Sequence, residues 1–329
     1  MPKKNSTPAA QRSPDLRPLR LLVAWHPRSD SAEAIEFAAW LGRSIAIRVR
    51  VVTTVRRPWP SSSLSRIGGK YQKWLKKQSK SCAQQVKEGL IAAGLERTQW
   101  DNNYSVLLEG PSETFILAEA AKDFDADVLI LGSSAAAPKG RFLAGSTADA
   151  LLHSSPTALG LAPRRPKLSK RGVTRINFAY LSAESEQDHS ALRYAAQSAD
   201  RWELPLRLLA FSTDGLTDSV IHDQLDLGQD LSVEWREHSL AMLDRARDWV
   251  LDQFPDLHVE TDFASGAGWS GAVDAVKWKK GDLLCLGSHP VGALERVFLG
   301  STASSFLPYA PVPVLVYPVH NPAPKVSKV

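Results

Sequence analysis

A stretch of sequence that recurs 155 residues later constrains this chain more than any other feature. Asp127-Val-Leu-Ile-Leu-Gly132 runs on to Gly145-Ser146-Thr147 and closes at Pro156. Asp282-Leu-Leu-Cys-Leu-Gly287 runs on to Gly300-Ser301-Thr302 and closes at Pro311. From Asp127 to Pro163 and from Asp282 to Pro318 the copies align without a gap, with 13 of 37 positions identical. Such a match implies two copies of one domain on one polypeptide. The length agrees, because 329 residues accommodate two cores of ordinary size.

Each copy reads as alternating strands and helices. The first begins with the apolar strand Leu19–Trp25, the second with Arg175–Tyr180. Helical spacing follows in both, at Ala34, Phe37, Ala38 and Leu41, and at Leu192, Ala195, Ala196 and Ala199. Further strands are expected at 45–55, 104–108, 128–131 and 157–162, with counterparts at 206–211, 258–263, 283–286 and 312–317. Helices are expected at 70–93 and 112–122, and at 232–253 and 270–279. Alternation of this kind implies a doubly wound α/β fold, a parallel sheet with helices on both faces. The domains are placed at 19–162 and 174–319. A basic, proline-interrupted linker at 163–173 joins them, and residues 1–18 and 320–329 read as disordered tails.

Chemistry concentrates at the repeated glycines. Gly132 and Gly287 each follow a buried strand, the position where ligands sit in open parallel sheets. Gly145-Ser146-Thr147 and Gly300-Ser301-Thr302 stand at helix starts, whose unpaired amides and dipole favour an anion. Arg141 and Arg296 match between the copies and are candidate charge partners. Taken alone, Gly-Ser-Thr is more simply a helix cap. Its fixed distance from the strand-end glycine is what favours a site.

This Gly-x2-Gly-x9-Gly-Ser/Thr arrangement after a strand resembles the nucleotide loop of the universal stress protein family, and the resemblance covers both repeats. It implies two tandem five-stranded parallel sheets of strand order 3-2-1-4-5, pairing through their last strands within the chain. It also implies a cytoplasmic stress-response regulatory protein with ATP as the candidate ligand, held by Gly132, Ala135, Arg141, Gly145, Ser146 and Thr147. In the second copy the corresponding residues are Gly287, Arg296, Gly300, Ser301 and Thr302. The family's second loop glycine falls on Ala135 and on Pro290, which removes a backbone donor. The acid expected at the end of the first strand is His26 in one copy and Leu181 in the other. An adenine contact falls near Thr54. The loops are therefore degenerate, and nucleotide is expected mainly in the first repeat.

Other readings stay open. Residues 1–165 carry 24 Lys/Arg against 14 Asp/Glu, whereas residues 166–329 carry 16 against 21. The basic surplus, with Lys73, Lys76 and Lys77 on one expected helix, is most simply a solvated face. Its sharper reading is nucleic-acid association, and a nucleotide-free scaffold for an unidentified protein partner is the other alternative. A homodimer is a further expectation. No apolar run reaches the roughly 20 residues of a membrane span, and the start lacks a signal peptide's apolar core. Cys82 and Cys285 form no disulfide framework. No His-x3-His pair suggests zinc, and neither Gly-x-Ser-x-Gly nor Gly-Lys-Ser/Thr is present. A non-enzymatic protein is expected. Ser29, Asp30 and Asp188, near His26 and His189, read as turns and caps, and the helical tryptophans Trp40, Trp74, Trp202, Trp235, Trp249 and Trp278 as packing residues.

Overall fold

Ten strands alternate with eight helices among the described residues, because apolar runs of four to eight residues recur between helical patterns. The computed structural model describes residues 17–27, 32–57, 68–181, 189–213, 228–288 and 297–318. In the first half β1 (Leu19–Ala24), β2 (Ile47–Arg56), β3 (Trp100–Gly110), β4 (Val128–Gly132) and β5 (Ala158–Ala162) interleave with α1 (Glu33–Leu41), α2 (Gly68–Ala92), α3 (Glu113–Asp123) and α4 (Ser146–Leu152). The second half repeats this with β6 (Arg175–Tyr180), β7 (Leu206–Thr213), β8 (Val259–Gly266), β9 (Asp282–Gly287) and β10 (Val314–Tyr317). Its helices are α5 (Ser190–Arg201), α6 (Gly228–Gln253), α7 (Gly268–Ala275) and α8 (Ser301–Phe306).

Each half has the strand order 3-2-1-4-5, but the two sheets are one. The full order is β3-β2-β1-β4-β5-β10-β9-β6-β7-β8. Within each half all pairings are parallel. At the junction β10 runs antiparallel to β5, with Val314 opposite Leu161 and Val316 opposite Leu159. Two edges that would otherwise expose unpaired backbone thereby satisfy each other. Gly160 sits in this seam because a Cβ there would lie 3.0 Å from Ile130 and 3.1 Å from Phe37.

Strand side chains alternate between two cores. Leu21 and Val23 face the layer formed by α1, α2, α5 and α6, while Leu22 faces the layer of α3, α4, α7 and α8. The residues read as helical spacing, mostly alanine, are all buried: Ala34, Phe37, Ala38 and Leu41 in α1, and Leu192, Ala195, Ala196 and Ala199 in α5. They let the helices lie close on the sheet.

Three local expectations change. The helix expected to reach residue 279 ends at Ala275, where Val276 is already extended (ψ 133°) and Trp278 donates its indole N–H back to the Val273 carbonyl. Trp74 is not a packing residue. It is 45% exposed and stacks on Tyr71, because the first half of α2 lies beside the edge strand β3, where Tyr71 bonds Glu109 at 2.6 Å, and buries nothing before Cys82. Arg17, expected in a disordered tail, is placed and pairs with Asp127 at 2.8 Å. The rest of that tail to residue 16, the tail beyond 318 and the side chain of Trp235 lie outside the described residues.

Candidate functional site

The first-repeat cleft opens where β1 and β4 lie side by side and the chain's crossovers leave in opposite directions. From β1 the chain passes through α1 to β2, while β4 is reached through α3 from the far side. Carboxyl ends of strands at such a switch point leave a gap between diverging loops. Here the gap has a volume of about 280 Å³. Ala24 at the end of β1 with Trp25 and His26 beyond it, Thr54 on β2, Gly132 at the end of β4 and the start of α4 enclose it. A Cβ at Gly132 or Gly145 would touch nothing within 4 Å, so both glycines face open space.

Gly145 is the N-cap of α4 and has no side-chain cap bond. The first-turn amides of α4, with no intrahelical acceptor, therefore point into the cleft. Ser133 and Ser134 close the strand-end loop on itself. Leu143 N–H donates to Ser133 Oγ at 3.0 Å, and Ser134 N–H donates to the Leu143 carbonyl at 2.9 Å.

One residue the sequence reading missed lies at the centre. Glu113, the first residue of α3, accepts the Thr147 hydroxyl at 2.5 Å and the Thr54 hydroxyl at 3.3 Å. Its carboxylate occupies an electropositive corner made by two helix starts. The motif around Gly145 gave no hint of it, because Glu113 arrives from a helix more than 30 residues upstream.

Other candidate residues lie elsewhere. Ala135 is exposed on the loop and does not line the cleft. Arg141 turns away from it toward the second half, where its guanidinium donates to the Tyr309 carbonyl and approaches Asp274 Oδ1 at 3.3 Å. Arg296 and Pro290 lie outside the described residues, as do Ser29, Asp30 and Asp188. The N-caps of α1 and α5 are Ala32 and His189, neither with a side-chain cap bond.

The second repeat places Gly287, Gly300, Ser301 and Thr302 at the matching strand end and helix start, yet its interior differs. A Cβ at Gly287 would lie 2.8 Å from the methyl of Ala191, so that approach is already filled. Strand register puts Phe211 where the first repeat has Thr54, and Trp269 where it has Glu113. With Phe306 they form an aromatic cluster, with centroids 5.2 Å apart for Phe211–Phe306, 5.4 Å for Trp269–Phe306 and 6.4 Å for Phe211–Trp269. Two polar positions of one repeat, Thr54 and Glu113, are thus aromatic in the other, where Phe306, the counterpart of Leu151, packs against them.

Among the described residues no group of three or more His, Cys, Asp or Glu is arranged to hold a metal, and no helix is long and apolar enough to cross a membrane.

Comparisons with known proteins agree with this architecture. Universal stress proteins of Mycobacterium bovis and Mycobacterium tuberculosis are each 32% identical to the chain over 305 residues, 91% of this chain and 100% of theirs. The crystal structure of a universal stress protein from Archaeoglobus fulgidus superposes with a TM-score of 0.58 at 17% identity, covering 92% of this chain and 99% of that one. The family profile described as "Universal stress protein family" matches twice, at residues 19–159 and 174–318, and the chain therefore belongs to that family as a tandem member.

Proposed function

We propose that this stress-response protein is a non-enzymatic, cytoplasmic regulator that holds one adenine nucleotide per chain, in the first repeat, with modest affinity. One observation carries the reading: an open cleft lined by Thr54, Glu113, Gly132 and Gly145–Thr147 in one repeat, against Phe211 and Trp269 at the matching places in the other. The uncapped amides of α4 suit phosphate oxygens, while Thr54 on β2 stands toward the adenosine end. At about 280 Å³ the cleft sits at the low end of small-molecule sites. The Glu113 carboxylate adds a negative charge close to where phosphates would bind, and both features weaken affinity.

Equilibrium dialysis with labelled ATP tests this. The expected result is one nucleotide per chain, lost in Gly145→Asp, which adds a carboxylate where the structure has room for it. Two nucleotides per chain, or none at millimolar concentration, refutes it. Glu113 also favours a second reading, a nucleotide-free scaffold in which the carboxylate permanently replaces the phosphate at α4. Mass spectrometry of gently purified protein distinguishes the two, because co-purified nucleotide contradicts the scaffold.

A further inference from the structure

The single sheet has two outer edges, β3 in the first half and β8 in the second, each with one neighbouring strand among the described residues. They are 11 and 8 residues long, and apart from Trp100, Gly110 and Ala264 none of their residues is buried. Such edges carry rows of N–H and C=O groups open to a further strand. Each half is parallel and the seam is antiparallel, so β3 and β8 run in opposite directions. A second copy added head to tail therefore lays its β3 antiparallel to β8, as β10 lies on β5.

Both edges carry a long helix on the same face, since Val86 and Leu90 of α2 and Met242 and Leu243 of α6 belong to one core. α2 runs antiparallel over β3: the Tyr71 hydroxyl donates to Glu109 at 2.6 Å, and the Tyr104 hydroxyl donates to the Ala83 carbonyl at 3.5 Å. α6 ends at Gln253, shortly before β8 starts at Val259, so its last turns stand beside the start of that strand. The charges of the two edges are opposite. Residues 70–87 carry six lysines and no acid, whereas residues 237–262 carry seven acids and two arginines. Lys73, Lys76 and Lys77 are exposed, as are Asp248, Asp252 and Asp256. Arg247 approaches Asp244 and Asp248 at 3.4 Å, which leaves the acidic surplus at Asp252 and Asp256.

We propose that these two edges bind one another between copies of this chain, β3 with α2 of one against β8 with α6 of the next, in a head-to-tail assembly. The antiparallel pairing sets the lysine-bearing first half of α2, above the end of β3, against the last turns of α6, above the start of β8. Pairing β3 with a second β3 would instead set those lysines beside residues 81–92, which hold one lysine and one glutamate and offer no complement. Charge therefore selects unlike edges, and an unlike contact repeats from copy to copy. The length of β8 limits the overlap to about 26 Å, and one strand plus its helix is about 20 Å deep, so a junction buries roughly 1,000 Å² in all. That is the scale of a weak, reversible interface.

Sedimentation velocity of the full chain, from micromolar to millimolar concentration, tests this. The expected result is a mass that climbs from the 36.0 kDa monomer without a plateau at the dimer and falls back as salt rises. Lys73→Glu with Lys76→Glu and Lys77→Glu, or Asp252→Lys with Asp256→Lys, should each weaken association at least about tenfold while keeping the wild-type melting temperature. Mixing the two variants should restore association, because each reversed edge then meets a reversed partner. Amide hydrogen exchange should slow in residues 104–108 and 259–263 as the mass climbs. A mass that stays at the monomer throughout, a discrete dimer indifferent to both sets of reversals, or a mixture that fails to associate overturns the proposal. So does a rising mass with unchanged exchange at both strands.

Discussion

Duplication supplies an internal control for the energetics of a buried charge. Asp127 and Asp282 are the same residue of the two repeats, yet their surroundings differ. Asp282 is wholly buried. Arg175 forks onto it with two contacts of 2.9 Å, Lys279 N–H donates to it at 2.8 Å, and Arg207 stands 3.6 Å away. The two arginines are themselves only 10% and 4% exposed at the side chain. Burial first, and Arg175 second, push the Arg207 pKa below its usual value, with Asp282 the main opposing charge. In Asp282→Asn one carboxylate oxygen becomes an amide donor facing guanidinium donors, and two buried cations lose their shared counter-charge. Breaking a buried ion pair from one side costs about 3–5 kcal/mol. Asp127 instead pairs with Arg17 at side-chain exposures of 27% and 56%, where such pairs contribute roughly 0–1 kcal/mol. Its bond from Arg20 N–H, at 2.7 Å, can be kept by an asparagine carbonyl. Asp127→Asn should therefore cost about 1 kcal/mol. Urea unfolding of both single variants, followed by far-ultraviolet circular dichroism and tryptophan fluorescence, measures the difference. Equal losses, or a loss below about 1 kcal/mol for Asp282→Asn, would refute the reasoning that burial separates these two positions.

Other outcomes follow from the same geometry. Glu113→Gln keeps an acceptor for the Thr147 hydroxyl but removes the anion beside α4, so nucleotide affinity by calorimetry should rise about fivefold, roughly 1 kcal/mol; unchanged or weaker binding contradicts the placement of phosphates there. Burial pushes the Cys285 thiol up to about 12 and the Cys82 thiol upward as well. Neither should react with a thiol-titrating disulfide at pH 8 in the native protein, and both should react in denaturant. Gly172→Ala forces a side chain onto a left-handed backbone against Ser44 and Trp40, and should lower stability by about 2 kcal/mol or more in the same urea assay. Neutralising Lys73, Lys76 and Lys77 on α2 tests the nucleic-acid reading. A gel shift that survives the change unaltered dismisses it.

Much of the architecture was legible because it rests on local periodicity. Arg175–Tyr180 is the sixth strand with its expected bounds, and each of the other strands falls within a few residues of its expected place. In the first repeat the strand-end glycine and the Gly-Ser-Thr helix start line one cleft as their spacing suggested, because a short strand–loop–helix unit has few ways to fold. The candidate site was legible only in its backbone. Arg141 matched Arg296 in sequence, but the loop after Gly132 folds onto its own Ser133 and carries the guanidinium toward Tyr309 and Asp274. Glu113 and Trp269 could have been aligned only by knowing that Arg56 pairs with Gly110 and Thr213 with Gly266.

The sequence by itself determined the duplication, the alternation of strand and helix, and a glycine-edged loop after the fourth strand of each copy. These are properties of residues close together along the chain, where apolar spacing and glycine's freedom act directly. Only the tertiary structure decided that the halves share one continuous sheet through β5 and β10, that the first cleft is open and polar, and that aromatic rings fill the second. Those features depend on which side chains strand register brings together from distant segments, and the repeated motifs are nearly silent about that register.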